Sequence, residues 1–267
     1  MSQSQSKSAD ILRQLLVLIA AVVTIAFNGL SQALPIGGRT SADISNAYST
    51  YFTPANYAFA IWGVIYALLL AYGIYQALPA QRENPNARKI AWLFILSCLL
   101  NCLWITLFQY DQILMSLLVI VGFLLSLIGI YMRLDVGRAN VSAADRWLLH
   151  LPFSVYLGWL CVATIANVSV LGVSQNWGDL LGIAAPSWAA IMVGVATLLG
   201  LILIITRRDV GLVLVFVWAF AAIIQKQSAT PVVTTTALVA EIVLVVSLGV
   251  SLLMNRRKPQ NLIPRRA

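Results

Sequence analysis

The sequence has few charged side chains and very little material for acid–base chemistry. Of 267 residues, 10% are charged, nine are Asp or Glu, and a single histidine, His150, is present. A soluble domain typically carries about a quarter of its residues as charged ones. The chain therefore cannot cover a water-facing surface, which excludes an ordinary soluble enzyme.

Cysteine and sequence motifs for catalysis are also scarce. The three cysteines, Cys98, Cys102 and Cys161, lie in apolar runs, so they indicate no disulfide framework. The sequence contains no phosphate-binding loop, dinucleotide fingerprint or nucleophile elbow. We therefore expect a protein that is not an enzyme and that holds neither a metal ion nor a resident cofactor.

Apolar residues are abundant, at 60% of the chain, and eight are tryptophans. A membrane-spanning helix needs about 20 predominantly apolar residues. The sequence predicts an all-α fold, a polytopic transmembrane helix bundle of about eight spans, of which the seventh is the shortest. The predicted spans are Leu12–Leu34, Asn56–Leu78, Ile90–Phe108, Ile113–Met132, Leu148–Val173, Trp188–Thr206, Val210–Ile224 and Val232–Met254.

The basic residues indicate the orientation of these spans. When the loops are assigned alternately to two sides, all but two of the 17 Lys and Arg fall on one side, and only Arg39 and Lys226 fall on the other. Cytoplasmic loops carry such an excess. We therefore expect both termini to lie in the cytoplasm. The expected location is the plasma membrane, most simply the inner membrane of a bacterium. The charge is then a topology signal, and nucleic acid is not an expected partner.

The two ends of the chain carry separate predictions. The basic tail, Asn255–Ala267, is expected to contact anionic lipids at the cytoplasmic face. Residues Met1–Gln14, the apolar run that follows and Ser31–Ala33 loosely resemble a cleavable signal peptide. The run is also long enough to span, so the sequence leaves both interpretations open.

Three spans carry aromatic and amide residues at intervals of three, four or seven, which place them on one helix face. All three faces reach a similar depth beneath a long loop, Pro35–Ala55. An amide in hydrocarbon needs a polar partner, so these faces should point inward. They either join the helices or line a pocket for a planar, mostly apolar ligand. The residues are Phe59, Trp62 and Tyr66; Asn101, Trp104 and Phe108; and Trp159, Ala163 and Asn167.

The same residues occur in three motifs in a fixed order. The second span begins with the stretch from Thr53 to Trp62, TPANYAFAIW; the third contains Leu100-Asn101 followed by Trp104; and the fifth contains Trp159 followed by Ala163 and Asn167. Together they resemble the TspO/MBR family of tryptophan-rich sensory proteins, or translocator proteins. The resemblance implies a five-helix core over residues 1–173, with residues 174–254 forming three additional helices.

The resemblance also implies a function. Members of that family bind tetrapyrroles and other flat hydrophobic ligands, so the nine aromatic, amide and alanine residues above are expected to bind such a ligand. We therefore expect an integral membrane receptor or carrier that senses or transports a tetrapyrrole-like hydrophobic molecule, with a homodimer as a candidate assembly. Because the first loop offers Tyr48 and Tyr51 where the family has a tryptophan- and lysine-containing stretch, the identity of the ligand stays open.

Two alternatives belong to other functional classes. Glu241 is the only carboxylate well inside a predicted span, and such residues often mark proton or ion paths. In the first alternative the chain is a proton-coupled secondary transporter in which Glu241 is the coupling site. In the other alternative it is a non-transporting assembly or scaffold protein for membrane complexes.

Overall fold

A computed structural model describes residues 3–179 and 182–256, with side chains over 7–179 and 182–254, and it is all-helical over these ranges. The tail predicted to contact lipid therefore lies almost entirely outside the described residues. Three short segments with other helical geometry supplement the α-helices: Asn56–Ala60 and Pro79–Gln81 (3₁₀) and Arg146–His150 (π). The α-helices are α1 (Gln3–Ala33), α2 (Ser41–Ala47), α3 (Ile61–Ala77), α4 (Pro85–Gln109), α5 (Ile113–Leu134), α6 (Ala143–Asp145), α7 (Leu151–Ser174), α8 (Ala185–Arg207), α9 (Val210–Lys226) and α10 (Pro231–Arg256).

Each predicted span coincides with a helix. Within the described residues, seven helical segments are long and apolar enough to cross a membrane, while α9, with 17 residues, is shorter. The prediction of a polytopic helical bundle is confirmed, and the protein is an integral, multi-pass membrane protein. The second span differs from the prediction in one detail, since its first turn, Asn56–Ala60, is a 3₁₀ helix.

Polar residues at the helix ends explain where several spans begin. The Asn84 side chain accepts hydrogen bonds from the backbone N–H groups of Asn86 and Ala87, so it caps the start of α4. Asp209 caps α9 by accepting from the backbone N–H of Leu212. These caps satisfy N–H groups that a helix leaves unpaired at its first turn.

The spans form two packed units. Helices α1, α3, α4, α5 and α7 pack on one another as a five-helix unit, and α8, α9 and α10 pack on one another as a three-helix unit. The principal contact between the two units is that of α9 with α7.

Many of the basic residues meet at one end of the bundle, which we call the basic end. Arginines there bind acidic or carbonyl groups on neighbouring segments, and these bonds link the ends of α1, α4, α5 and α8. The pairs are Arg13 with the backbone oxygen of Arg82, Arg88 with Asp10, Arg133 with the backbone oxygen of Lys89, Arg138 with the backbone oxygen of Thr206, and Arg207 with Asp135.

The turn between α8 and α9 joins the two units at this end. The buried Asp209 carboxylate accepts hydrogen bonds from the Tyr131 hydroxyl of α5, at 2.8 Å, and from the Ser154 hydroxyl of α7. The Arg207 guanidinium binds Asp135 at 2.9 Å and lies 5.3 Å from the centre of the Tyr131 ring. One turn of the three-helix unit is therefore held by two helices of the other.

Gly137 allows the loop after α5 to approach this turn. Its φ is +81°, and a Cβ atom added there would lie 1.9 Å from the backbone oxygen of Arg207. Both the backbone angle and the space therefore require glycine at this position.

We predict that Gly137→Ala lowers the stability of the protein by about 2–4 kcal/mol, because the methyl group adds a steric clash to the strain of a positive φ. The control is Gly38→Ala, which has a similar φ of +76° and no atom within 4 Å of the added carbon. It should cost about 1–2 kcal/mol. The measurement is the apparent melting temperature in detergent, and equal decreases for the two variants would contradict the close packing at Gly137.

Candidate functional site

The three aromatic faces predicted from the sequence come together around Trp62. Its ring centre lies 6.0 Å from that of Trp104 and 6.4 Å from that of Trp159, and it stacks on Tyr66 at 5.6 Å. Phe59 meets Trp159 edge-on at 6.3 Å. The shared face is thus a cluster of rings contributed by α3, its preceding 3₁₀ turn, α4 and α7.

A small cavity of about 40 Å³ lies in this cluster. It is roofed by Ser41 and Ser45 of α2 and by Pro54, none of which the sequence predicted as site residues. Seven of the predicted ligand-binding residues line it: Phe59, Trp62, Trp104, Phe108, Trp159, Ala163 and Asn167.

A second cavity of about 120 Å³ lies beside the first. The two share Ser41, Phe59 and Trp62, and the second is also lined by Tyr66 and by Asn28 of α1. The Phe59 and Trp62 rings therefore belong to the wall between the two spaces. Asn28 was missed from the sequence, although an amide within an apolar span was the signal that singled out Asn101.

Asn101 is buried in a hydrogen-bond network and lines neither cavity. Its oxygen accepts from the Asn28 amide at 2.6 Å, and its amide donates to the Tyr156 hydroxyl at 2.9 Å. The network joins α1, α4 and α7, so Asn101 lies behind the aromatic cluster and fixes the helices that carry it.

Asn167 has a comparable network within the cavity wall. Its side-chain oxygen accepts from the indole N–H of Trp104 at 3.2 Å and from the Ser116 hydroxyl at 3.2 Å. These bonds join α4, α5 and α7 and hold the Trp104 ring in place.

Three buried polar atoms of the cavity-lining residues have no hydrogen-bond partner among the described residues. They are the indole nitrogen of Trp159, the side-chain oxygen of Asn28 and the hydroxyl oxygen of Ser41, all in buried residues. Buried polar groups in native proteins are nearly always paired. One unpaired donor, one unpaired acceptor and one unpaired hydroxyl group therefore belong to residues that line the two neighbouring cavities.

Residues 35–55, which we call the lid, cover the first cavity and contain the short helix α2. The Thr40 hydroxyl accepts a hydrogen bond from the backbone N–H of Asp43. The Asp43 carboxylate in turn accepts hydrogen bonds from the backbone N–H and the hydroxyl of Thr40. These bonds lower the pKa of Asp43, so the capping carboxylate stays charged. The lid is therefore locally structured.

One side of the lid is bound to the turn between α4 and α5. Asp111, with φ +62°, accepts from the Arg39 guanidinium at 2.9 Å and from the Tyr48 hydroxyl at 2.8 Å. The bond to this carboxylate raises the pKa of Tyr48, so its hydroxyl keeps the proton that it donates. The backbone N–H of Ile36 also donates to the Gln109 side chain at 3.2 Å.

The other side of the lid is bound to α9 and the turn that follows it. Gln227 donates to the backbone oxygens of Thr50 and Thr53, at 3.1 and 3.3 Å. Directly after the lid, the Trp218 indole donates to the backbone oxygen of Ala58 at 3.1 Å. The three-helix unit therefore holds the lid over the aromatic cluster.

Glu241 lies outside this site. It is partly buried on α10, which packs on α8 and α9, and it lines neither cavity. No hydrogen bond or ion pair to its carboxyl group occurs among the described residues. Its role in proton coupling stays a prediction.

The fold and site define a multi-pass helical membrane protein with a small aromatic cavity beneath a structured lid. The chain matches the family model described as TSPO-like protein over residues 14–250, and it belongs to this family. The resemblance stated from the three motifs is thereby confirmed, and the match continues through α8 and α9 into α10. No curated protein and no solved structure matches the chain.

We predict that Gln227→Ala loosens the lid, because it removes two hydrogen bonds to lid backbone oxygens. Each such bond contributes about 1 kcal/mol, so amide hydrogen exchange in residues 41–55 should become about thirtyfold faster. Gln175→Ala is the matched control, since that exposed glutamine lies in another loop and its side chain makes no hydrogen bond in the described part. Unchanged exchange in Gln227→Ala would show that the Gln227 side chain does not hold the lid.

Proposed function

We propose that the protein binds a flat, mostly apolar ligand, such as a tetrapyrrole, among Trp62, Trp104 and Trp159, and that it acts as a membrane receptor or carrier in sensing or transport. The observation that carries this proposal is the unpaired indole N–H of Trp159 in a wall of three tryptophans beside a cavity. A ligand acceptor placed in this cavity would satisfy that donor.

The energetics of the unpaired groups favour a ligand with polar edges. A buried donor or acceptor without a partner costs about 1–3 kcal/mol. A ligand acceptor, such as a carboxylate, would pair with the Trp159 N–H, and a ligand N–H would pair with the Asn28 oxygen. Tetrapyrroles carry both kinds of group around a flat ring that stacks on indoles.

The volumes imply that this ligand enters only after the site opens. Cavities of 40 and 120 Å³ are far below the roughly 300 Å³ at which pockets for drug-sized molecules begin. Movement of the lid, with rotation of Phe59 and Trp62, would join the two spaces. We therefore interpret this arrangement as the closed form, in which lid opening is the step that admits a ligand.

The chemistry of the lining favours binding over catalysis. The side chains that line the two cavities are apolar, aromatic, amide or hydroxyl groups. Such groups orient a ligand by stacking and hydrogen bonding, whereas proton transfer at neutral pH usually uses imidazole, carboxylate, amine or thiol groups.

The orientation in the membrane is part of the proposal. The lid carries Arg39 and contacts Lys226, whereas the opposite end is the basic end. With the positive-inside rule, the lid would face away from the cytoplasm and both termini would lie within it. A bacterial plasma membrane is the expected location.

Titration of the purified protein with protoporphyrin tests the proposal. We expect a saturable shift of the porphyrin absorption band, with a Kd about tenfold higher in Trp159→Phe, because phenylalanine keeps the ring and removes the N–H donor. Absorption of the porphyrin is followed so that loss of a tryptophan does not itself change the signal.

Trp92→Phe is the matched control, because Trp92 is 64% exposed and lies near the opposite end of α4. It should bind like the wild type. A shift that is equal in empty micelles would rule out binding by the protein, and an unchanged Kd in Trp159→Phe would rule out recognition by the Trp159 N–H.

A further inference from the structure

A cavity of about 520 Å³ lies at the basic end of the bundle, far from the lid. Three segments surround it: the loop after α5, the first turns of α7 with the π-helical turn before it, and the turn between α8 and α9. It therefore opens at the junction of the five-helix and three-helix units, and it is much larger than the two cavities beside the tryptophans.

Two arginines line this cavity from different units. Arg146 lies in the π-helical turn before α7, and Arg208 lies in the turn after α8. Both are exposed, and neither guanidinium makes a hydrogen bond or ion pair to another described residue. By contrast, Arg133, Arg138 and Arg207 at the same end all bind protein groups. The charges of Arg146 and Arg208 are therefore available to a ligand.

A buried imidazole adds a further unpaired group. His150 lines the cavity, is 5% exposed, and has no partner for its Nε2 atom among the described residues. Leu151 and Val210 add apolar surface, and the 64% exposed Trp147 ring stands at the rim. This lining would match a ligand that has a polar head group attached to an apolar body.

The one carboxylate in the lining does not cancel the two arginines. Asp209 is buried and accepts hydrogen bonds from Tyr131, Ser154 and the backbone N–H of Leu212. Its negative charge is thus compensated by three protein donors. The exposed guanidinium groups are consequently the part of the cavity that faces an incoming charged molecule.

We propose that this cavity binds the phosphate group of an anionic glycerophospholipid. The planar guanidinium fork donates two parallel hydrogen bonds to phosphate oxygens, and Arg146 and Arg208 can approach one phosphate from two sides. The apolar lining would take the glycerol and the first acyl carbons. Basic pockets between transmembrane helices are known to bind such headgroups. The bound lipid would bridge the two helical units.

Binding of dioctanoyl phosphatidylglycerol to the purified full-length protein tests this site. We expect saturable binding by thermophoresis, with a Kd raised by about tenfold or more in Arg146→Gln/Arg208→Gln, because each arginine supplies a charge-assisted bond. Arg133→Gln removes the same charge at the same end but outside the cavity, and it should bind like the wild type. An unchanged melting temperature shows that the double variant is folded.

Other probes separate specific recognition from its alternatives. Dioctanoyl phosphatidylcholine, a zwitterionic lipid of equal chain length, should bind at least about tenfold more weakly. Binding equal to that of phosphatidylglycerol, or an equal loss in Arg133→Gln, would overturn the proposal in favour of general charge attraction. Inorganic phosphate that displaces the lipid at equal concentration would overturn the assignment to a lipid headgroup.

Discussion

Polar groups inside a membrane must find partners within the protein, because hydrocarbon offers none. This constraint determines the arrangement of the five-helix unit. The bonds of Asn101 to Asn28 and Tyr156 join three helices, and the bonds of Asn167 to Trp104 and Ser116 join α4, α5 and α7. The tryptophan rings are in turn positioned by these amides. Of the buried polar atoms left unpaired among the described residues, those of Trp159, Asn28 and Ser41 belong to residues that line the cavities.

The sequence was sufficient to predict the helices and most of the aromatic cluster. Span length follows from bilayer thickness, and intervals of three and four place Phe59, Trp62 and their counterparts on shared faces. Those properties are local along each helix. They say which residues face inward, and the structure brings seven of the nine predicted residues to one cavity.

What the sequence could not predict depends on contacts distant in the chain. The volume of the cavities depends on how closely Trp62 approaches Trp104 and Trp159, which no spacing within one helix determines. The contact of Gln227 with Thr50 joins residues 177 positions apart. Asn101 shares its predicted helix face with Trp104 and Phe108, which line the cavity. Its hydrogen bonds to Asn28 and Tyr156 nevertheless place it in the network behind the cluster.

The three-helix unit acts on the rest of the protein through α9. Near one end, Gln227 and Trp218 hold the lid and the turn after it, and at the other, Asp209 is bound by Tyr131 and Ser154. This unit therefore holds the lid over the aromatic cavity at one end and lines part of the basic cavity at the other, so one helix connects the two ends of the bundle.

The short length of α9 has a consequence for the surrounding bilayer. Its 17 residues extend about 25 Å, which is less than the roughly 30 Å of hydrocarbon in a typical membrane. A short helix facing lipid would cause hydrophobic mismatch and would thin the bilayer locally. Since α7, α8 and α10 pack around α9 and most of its apolar residues are buried, the longer neighbours meet the acyl chains in its place. The protein can thus contain a span shorter than the membrane without deforming it.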